Sequence, residues 1–189
     1  GVQDYKSGDA RAKWLLSWPG QIVLAVANIF WGTVIAFDKT KYQGDAPKTA
    51  ADFFDTEKFP GKRGLPKNPK RTLYLALIAD GVAPDQVYDK LGTQEGVDQA
   101  FAKLDTIKND VVWWEAGAQP VQLLADGEVT MAYAFNGRIF NAAQGEGKPF
   151  KIIWDGQIYE MEGWVMPKGK CRMAPFSSAI QWAVSGGVM

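Results

Sequence analysis

The chain holds few groups that could carry out covalent or metal chemistry. It has no histidine and a single cysteine, which excludes Ser-His-Asp and Cys-His catalysis, histidine-based metal sites and an internal disulfide. The segment GEGK at 145–148 resembles the end of a phosphate-binding loop, but Ala142 and Pro149 replace the required glycine and Ser or Thr. No glycine-rich dinucleotide motif follows a predicted strand. The sequence therefore implies no metal and no cofactor.

Two carboxylates remain as candidates for acid–base chemistry. Glu160 and Glu162 are two positions apart on a predicted strand, so they share one face of it. Paired carboxylates can act as general acid and base, and this leaves an α/β enzyme of hydrolase type as one alternative. More often such a pair lies on a solvated or salt-bridged surface.

Two turns indicate binding of a solute rather than catalysis. Each follows a predicted strand and leads into a predicted helix. The residues are Glu115, Gly117, Ala118 and Gln119 in the first turn, and Phe135, Asn136 and Gly137 in the second. In open α/β sheets, ligands lie beyond the carboxyl ends of the strands, against helix N-termini. Phe135 can supply a flat wall and Asn136 an amide; the alternative is that both turns are ordinary connections.

These turns depend on the elements that alternate along the chain. Strand-like segments such as VVWWEA (111–116) and EVTMAYAF (128–135) alternate with helical patterns such as RTLYLALIADG (71–81). Thr49 and Asp52 predict a capping box at the start of another helix. This order predicts an α/β fold with an open, mostly parallel sheet flanked by helices. With 189 residues, 47% of them hydrophobic, the chain has the size of one domain or one lobe.

Residues 14–37 form a run without charge, which raises the question of a membrane segment. Pro19 and Gly20 interrupt the run, and β-branched and aromatic residues dominate its second part. We predict two buried strands broken at this point. The alternative is a protein anchored in a membrane through residues 14–37.

The formal net charge is zero, from 21 basic and 21 acidic residues. Binding to nucleic acid needs a basic surface that neutralises phosphates. The composition therefore predicts no nucleic-acid partner.

Four segments together resemble the periplasmic solute-binding proteins of ABC importers, in particular the spermidine/putrescine-type receptors with the type 2 periplasmic binding fold. They are FWGTVIAFDKTKY, GVDQAFAKLDTIK, WWEAGAQPVQLLADGEVTMAYAFNGRIFNA and FKIIWDGQIYEMEGWVMPKG. The resemblance implies a periplasmic, non-enzymatic receptor whose two lobes close over a small organic solute. It also implies an ABC permease in the inner membrane as partner.

The resemblance covers mainly the second lobe of such a receptor and suggests three regions. Residues 1–28 are an atypical segment, either a hinge or a remnant of the first lobe. Residues 29–169 form the ligand-binding lobe, and residues 170–189 form a C-terminal helix or tail. We expect the surface that a first lobe would cover to cause self-association.

The resemblance also assigns roles to single residues. Phe135 falls where polyamine receptors pack an aromatic ring on the ligand, Glu162 on a carboxylate that pairs with an amine, and Glu160 on an aromatic. Asn68 and Arg71 stand in place of an acidic pair, so a diamine would face a like charge. This argues against a polyamine ligand, unless Arg71 is an exposed helix-start residue that never meets it. Trp31, on the strand near the hinge, lines the cleft or belongs to the core.

Overall fold

The computed structural model describes residues 22–42 and 44–167, with side chains for 29–42 and 44–163. Residues Trp31–Glu160 form one compact unit. The remaining described residues, 22–30 and 161–167, fall in a second unit. The division into 1–28, 29–169 and 170–189 stays a prediction, and most of the two terminal regions lies outside the described residues.

The elements alternate as the sequence pattern predicted. In chain order they are β1 (Ile22–Asp38), α1 (Ala50–Phe54), β2 (Arg63–Pro66), α2 (Pro69–Ala79), α3 (Val87–Leu91), α4 (Gln94–Asp105), β3 (Val111–Trp114), α5 (Gln119–Ala125), β4 (Met131–Phe135), α6 (Asn136–Gln144) and β5 (Phe150–Pro167).

The strands form one sheet in the order β3-β2-β4-β1-β5. Strand β2 is parallel to both β3 and β4, whereas β1 is antiparallel to β4, with Thr33 opposite Phe135. The predicted fold, an open and mostly parallel sheet flanked by helices, is confirmed. Parallel strands end at the same edge, so the residues that follow β2, β3 and β4 are brought together.

Helices cover both faces of this sheet, and each face has its own core. Ile35 and Tyr133 face one cluster, which also contains apolar residues of α1, α2 and α4. The intervening positions Ala36 and Ala134 face the other, under α5 and α6. The alternation along β1 and β4 follows from the two-residue period of a strand. Burial of both faces fixes the strand register.

Capping residues set where the helices near the site begin. Thr49 accepts from the backbone N–H of Asp52, whose carboxylate accepts from the Thr49 N–H, so the predicted capping box is confirmed. The side chain of Asn68 accepts a hydrogen bond from the Arg71 N–H, and Pro69 occupies the first position of α2. These residues place the first turn of α2 directly after β2.

A fully buried arginine was not foreseen from the sequence. Arg63 on β2 has no exposed surface, and its guanidinium acceptors within the described part of the chain are uncharged oxygens. Its acceptors are the backbone oxygens of Phe53, Asp55, Phe59 and Gly61, and the Thr130 hydroxyl. These bonds tie the loop before β2 to the sheet.

The uncharged run is a strand where the structure describes it. Residues 22–37 belong to β1, so a membrane helix over them is wrong, while residues 14–21 lie outside the described part. Among the described residues, no helix has the length and apolar character needed to cross a membrane. Strand β5 is continuous, whereas the sequence predicted two strands around its Asp-Gly pair. Gly156 has a φ of 73°, which glycine adopts readily, so the Asp-Gly pair lies within one strand rather than in a turn between two.

Candidate functional site

A concavity of about 410 Å³ lies at the edge where the parallel strands end. Its lining comes from the ends of β2 and β3 and from the first turn of α2: Pro66, Lys67, Asn68, Arg71, Trp114 and Glu115. Open α/β sheets bind ligands at this edge. Three of the predicted site residues, Asn68, Arg71 and Glu115, line it.

Arg71 packs against two aromatic rings. Its guanidinium carbon lies 4.9 Å from the ring centre of Trp31 and 5.1 Å from that of Phe135. The two rings meet edge to face, with centres 4.9 Å apart and planes at 85°. Such cation–π contacts contribute about 0.5–2 kcal/mol each. Trp31 and Phe135 are both half-buried, so they form a wall that is neither core nor open surface.

Glu160 connects this wall to the start of α2. Its carboxylate accepts hydrogen bonds from the Lys70 Nζ and, at 2.8 Å, from the Arg71 Nη2. Burial would raise the pKa of Glu160, but the hydrogen bonds from Lys70 and Arg71 outweigh it and lower that pKa. Glu160 is therefore a carboxylate at neutral pH. With two cations and one anion, the cluster keeps a net positive charge.

The turn between β3 and α5 packs against the ring of Phe135. A Cβ on Gly117 would lie 2.5 Å from Cε2 of Phe135, closer than real atoms approach. Gly117 is therefore required where the ring packs on the backbone. Trp114 meets Phe135 edge to face at 5.6 Å, so Phe135 lies between β1, the end of β3 and the start of α2.

Several predicted site residues use their side chains inside the fold. The Gln119 Oε1 accepts from the backbone N–H groups of Glu115 and Ala116, at 2.8 and 2.7 Å, and closes the first turn. The Asn136 Oδ1 accepts from the Gly32 N–H at 3.1 Å and joins α6 to β1. Both side-chain oxygens accept hydrogen bonds from backbone N–H groups of the fold, so these two amides stabilise the turns.

The other predicted residues are placed less centrally. The Glu115 carboxylate pairs with Lys67 at 3.0 Å on the exposed rim, and Ala118 is exposed. Asn68 caps α2 through its side chain. Glu162 falls in the second unit, so the structure does not assign it to this cluster.

Sequence reasoning missed Lys70, because nothing local signals that it meets Glu160, which is 90 residues away. For the tryptophans, the alternation in VVWW predicts that one of Trp113 and Trp114 faces the core and the other the cleft side. Trp114 is 2% exposed and Trp113 is 51% exposed.

A larger concavity, of about 610 Å³, lies between α2, α3 and β5. It includes Tyr74, Tyr88 and Tyr159 together with Asp85 and Asp155, and no cation lines it. We place the candidate site at the smaller concavity, because of these two it is the one that lies where the parallel strands end. Arg71 lines it and packs on Trp31 and Phe135, which do not line the concavity themselves.

Residues 5–172 match the family of bacterial extracellular solute-binding proteins. The gamma-aminobutyric acid-binding protein of Pseudomonas aeruginosa is 52% identical over 144 residues, 76% of this chain and 40% of that protein. The PBP MotA from A. tumefaciens B6, solved in complex with glucopine, is 40% identical with a TM-score of 0.69, over 77% of this chain and 45% of that one. A solved Atu4243-GABA receptor is 36% identical with a TM-score of 0.71, over 84% and 48%.

The chain thus spans less than half the length of these relatives. The likeness to spermidine/putrescine receptors holds at the level of the fold. The spermidine/putrescine substrate-binding protein PotD from Streptococcus pneumoniae has a TM-score of 0.60 with this chain, at 14% identity.

Proposed function

Because the chain belongs to the bacterial extracellular solute-binding protein family, we propose that it forms the solute-binding lobe of an ABC importer's receptor. The solute is a small polar organic molecule, and gamma-aminobutyric acid (GABA) is the first candidate, since a relative with 52% identity is named for it. The lobe supplies one wall of a cleft that closes over the solute.

One observation carries this proposal: Arg71 lies against Trp31 and Phe135 at the edge where the parallel strands end. Aromatic surface excludes water from a solute, and a cation held at that surface orients it. Packing of the guanidinium against both rings also restricts the rotamers of Arg71, which reduces the side-chain entropy lost when a solute binds. Trp31, Arg71 and Phe135 are therefore the proposed contacts, with Gly117, Gln119 and Asn136 holding them in position.

The same membership supports our proposal for the partner and the location. The receptor delivers its solute to an ABC permease of the inner membrane and works in the periplasm. It catalyses no reaction. The rival proposal, an enzyme using Glu160 and Glu162, has less support, because the carboxylate of Glu160 is engaged in ion pairs with Lys70 and Arg71.

Calorimetric titration of the chain with GABA tests the proposal, using millimolar solute because a single wall leaves much of it in water. We expect saturable binding that Arg71→Lys weakens at least ten-fold, since lysine lacks the planar fork that recognises carboxylates. Lys108→Met, on an exposed turn, is the control and should bind as the unaltered chain does. Absence of binding to GABA and to other amino-acid solutes would contradict the proposal, as would turnover that depends on Glu160.

A further inference from the structure

Buried polar atoms without a hydrogen-bond partner are concentrated around Phe135. Of the four such side-chain atoms among the described residues, three are the Thr33 Oγ1, the Arg71 Nε and the Trp114 Nε1. Thr33 is the cross-strand partner of Phe135 in the β1–β4 ladder. The rings of Trp114 and Phe135 are 5.6 Å apart, and the guanidinium of Arg71 is 5.1 Å from the same ring.

Unpaired buried groups of this kind are costly. Each one forgoes its bonds to water and costs about 1–3 kcal/mol, and native proteins keep only a few of them. Where they gather, the fold has kept them at the expense of stability, and such departures occur mainly at functional sites. Arg71 and Trp114 also line the 410 Å³ concavity, so two of the three unpaired donors belong to side chains of its lining, although the donor atoms themselves are buried.

The chemistry of the three groups selects the ligand group. The indole N–H and the guanidinium Nε–H can only donate, and the threonine hydroxyl can donate as well. An ammonium group would bring a further donor and could satisfy only the threonine hydroxyl, leaving the two N–H donors unpaired. A carboxylate brings two acceptor oxygens and a charge opposite to that of Arg71.

We propose that the solute presents a carboxylate to this lobe, and that the indole N–H of Trp114 receives it together with Arg71. This inference rests on the proposed function and deepens it, because it names the chemical class of the solute and one further residue that selects it. The Trp114 Nε1 is shielded from solvent in the unliganded arrangement, so the indole of Trp114 turns toward the concavity when the carboxylate enters, while Arg71 stays against the two rings.

Indole N–H resonances of the ¹⁵N-labelled chain test this directly, with Trp114→Phe identifying the signal of Trp114. The titrants are GABA, butyrate (carboxylate without the amine) and butylamine (amine without the carboxylate). We expect GABA and butyrate to move the Trp114 signal downfield and butylamine to leave it in place. Movement with butylamine alone, or movement of other site resonances without that of Trp114, would overturn the inference and leave the proposed function standing. No movement of any resonance with any solute would contradict both.

Calorimetry on variants gives a second readout. Trp114→Phe keeps an aromatic ring and removes only the unpaired donor, so it should weaken GABA binding roughly ten-fold, about 1.4 kcal/mol. The melting temperature of the unliganded variant should stay equal or rise. The exposed neighbour Trp113→Phe should change neither quantity. If Trp114→Phe fails to fold, the NMR titration of the unaltered chain serves in its place. Unchanged affinity in a folded variant would contradict the inference.

Discussion

Arg71 and Glu160 meet at 2.8 Å across 89 residues of sequence, and this pair joins the start of α2 to β5. Their side chains are 15% and 19% exposed, so solvent screens the pair only in part. The pair fixes the guanidinium that lies against Trp31 and Phe135, and it links the stability of the lobe to the geometry of its solute wall.

The first prediction concerns this pair and pH. Glu160→Gln should lower the free energy of unfolding at pH 7 by about 1.5–3 kcal/mol, the usual contribution of hydrogen bonds to charged groups. The pKa of Glu160 is lowered in the folded state from 4.5. Its contribution is therefore complete above about pH 4.5 and is lost as the pH falls through the folded-state pKa.

Urea unfolding from pH 7 down to pH 3 measures this difference. The gap between the unaltered chain and Glu160→Gln should narrow only below about pH 4.5. A gap that stays constant over the whole range would show that the charge of Glu160 does not stabilise the fold.

The second prediction concerns the close approach of Gly117 to Phe135. Gly117→Ala places a methyl 2.5 Å from the ring and should cost about 1–3 kcal/mol of stability. It should also weaken solute binding, because the ring must move. Gly137→Ala is the matched control, since a Cβ there meets nothing within 4 Å. Gly137 lies in α6, so alanine should leave stability unchanged or raise it.

Thermal unfolding and GABA titration of both glycine variants provide the measurement. Equal losses of stability and affinity in Gly117→Ala and Gly137→Ala would contradict the prediction that the approach of Gly117 to Phe135 matters.

The alternation of elements could be predicted from the sequence, but the use of the polar side chains at the strand ends could not. Hydrophobic periodicity and caps such as Thr49 are local, so they appear in a short window. Gln119 and Asn136 were expected to face a solute, but their carbonyl oxygens bind backbone N–H groups of the fold. Nothing local distinguishes an amide that closes a turn from one that binds a ligand.

The pairing of Arg71 with Glu160 could not be predicted from the sequence either. The resemblance to polyamine receptors implied that Asn68 and Arg71 replace an acidic pair at the start of α2, and the resulting argument against a diamine stays a prediction. The partner of Arg71 is distant in sequence, and only the sheet order brings β5 close to α2. The buried Arg63 was missed for a related reason, because its acceptors are backbone oxygens, which have no signature in the sequence.

The third prediction concerns polyamines. Spermidine should bind poorly, because Lys70 and Arg71 leave the cluster with a net positive charge. Arg71→Glu should reverse this preference, raising the affinity for spermidine and lowering that for GABA. Parallel calorimetric titrations measure both. Micromolar binding of spermidine to the unaltered chain would show that Arg71 does not face the solute.

The fourth prediction is self-association at micromolar concentration through the apolar N-terminal segment or the C-terminal tail. Residues 14–21 of this segment lie outside the described part, while Phe30 is 67% exposed. Exposed apolar surface of this kind usually finds a partner. Phe30→Ser should weaken association in sedimentation velocity runs. Phe140→Ser removes another exposed phenylalanine, 58% exposed on α6, and should not. A monomer at all concentrations would contradict this prediction.

The central claim is that Trp31, Arg71 and Phe135 form the wall that meets the solute. Isotope-filtered NMR with ¹³C,¹⁵N-labelled protein and unlabelled GABA tests it most directly, because nuclear Overhauser effects report protons within about 5 Å of one another, only slightly beyond the contact distance of packed side chains. We expect effects between the GABA methylene protons and the ring protons of Trp31 and Phe135. Effects confined to Tyr88 and Tyr159 would place the solute in the larger concavity and contradict the claim.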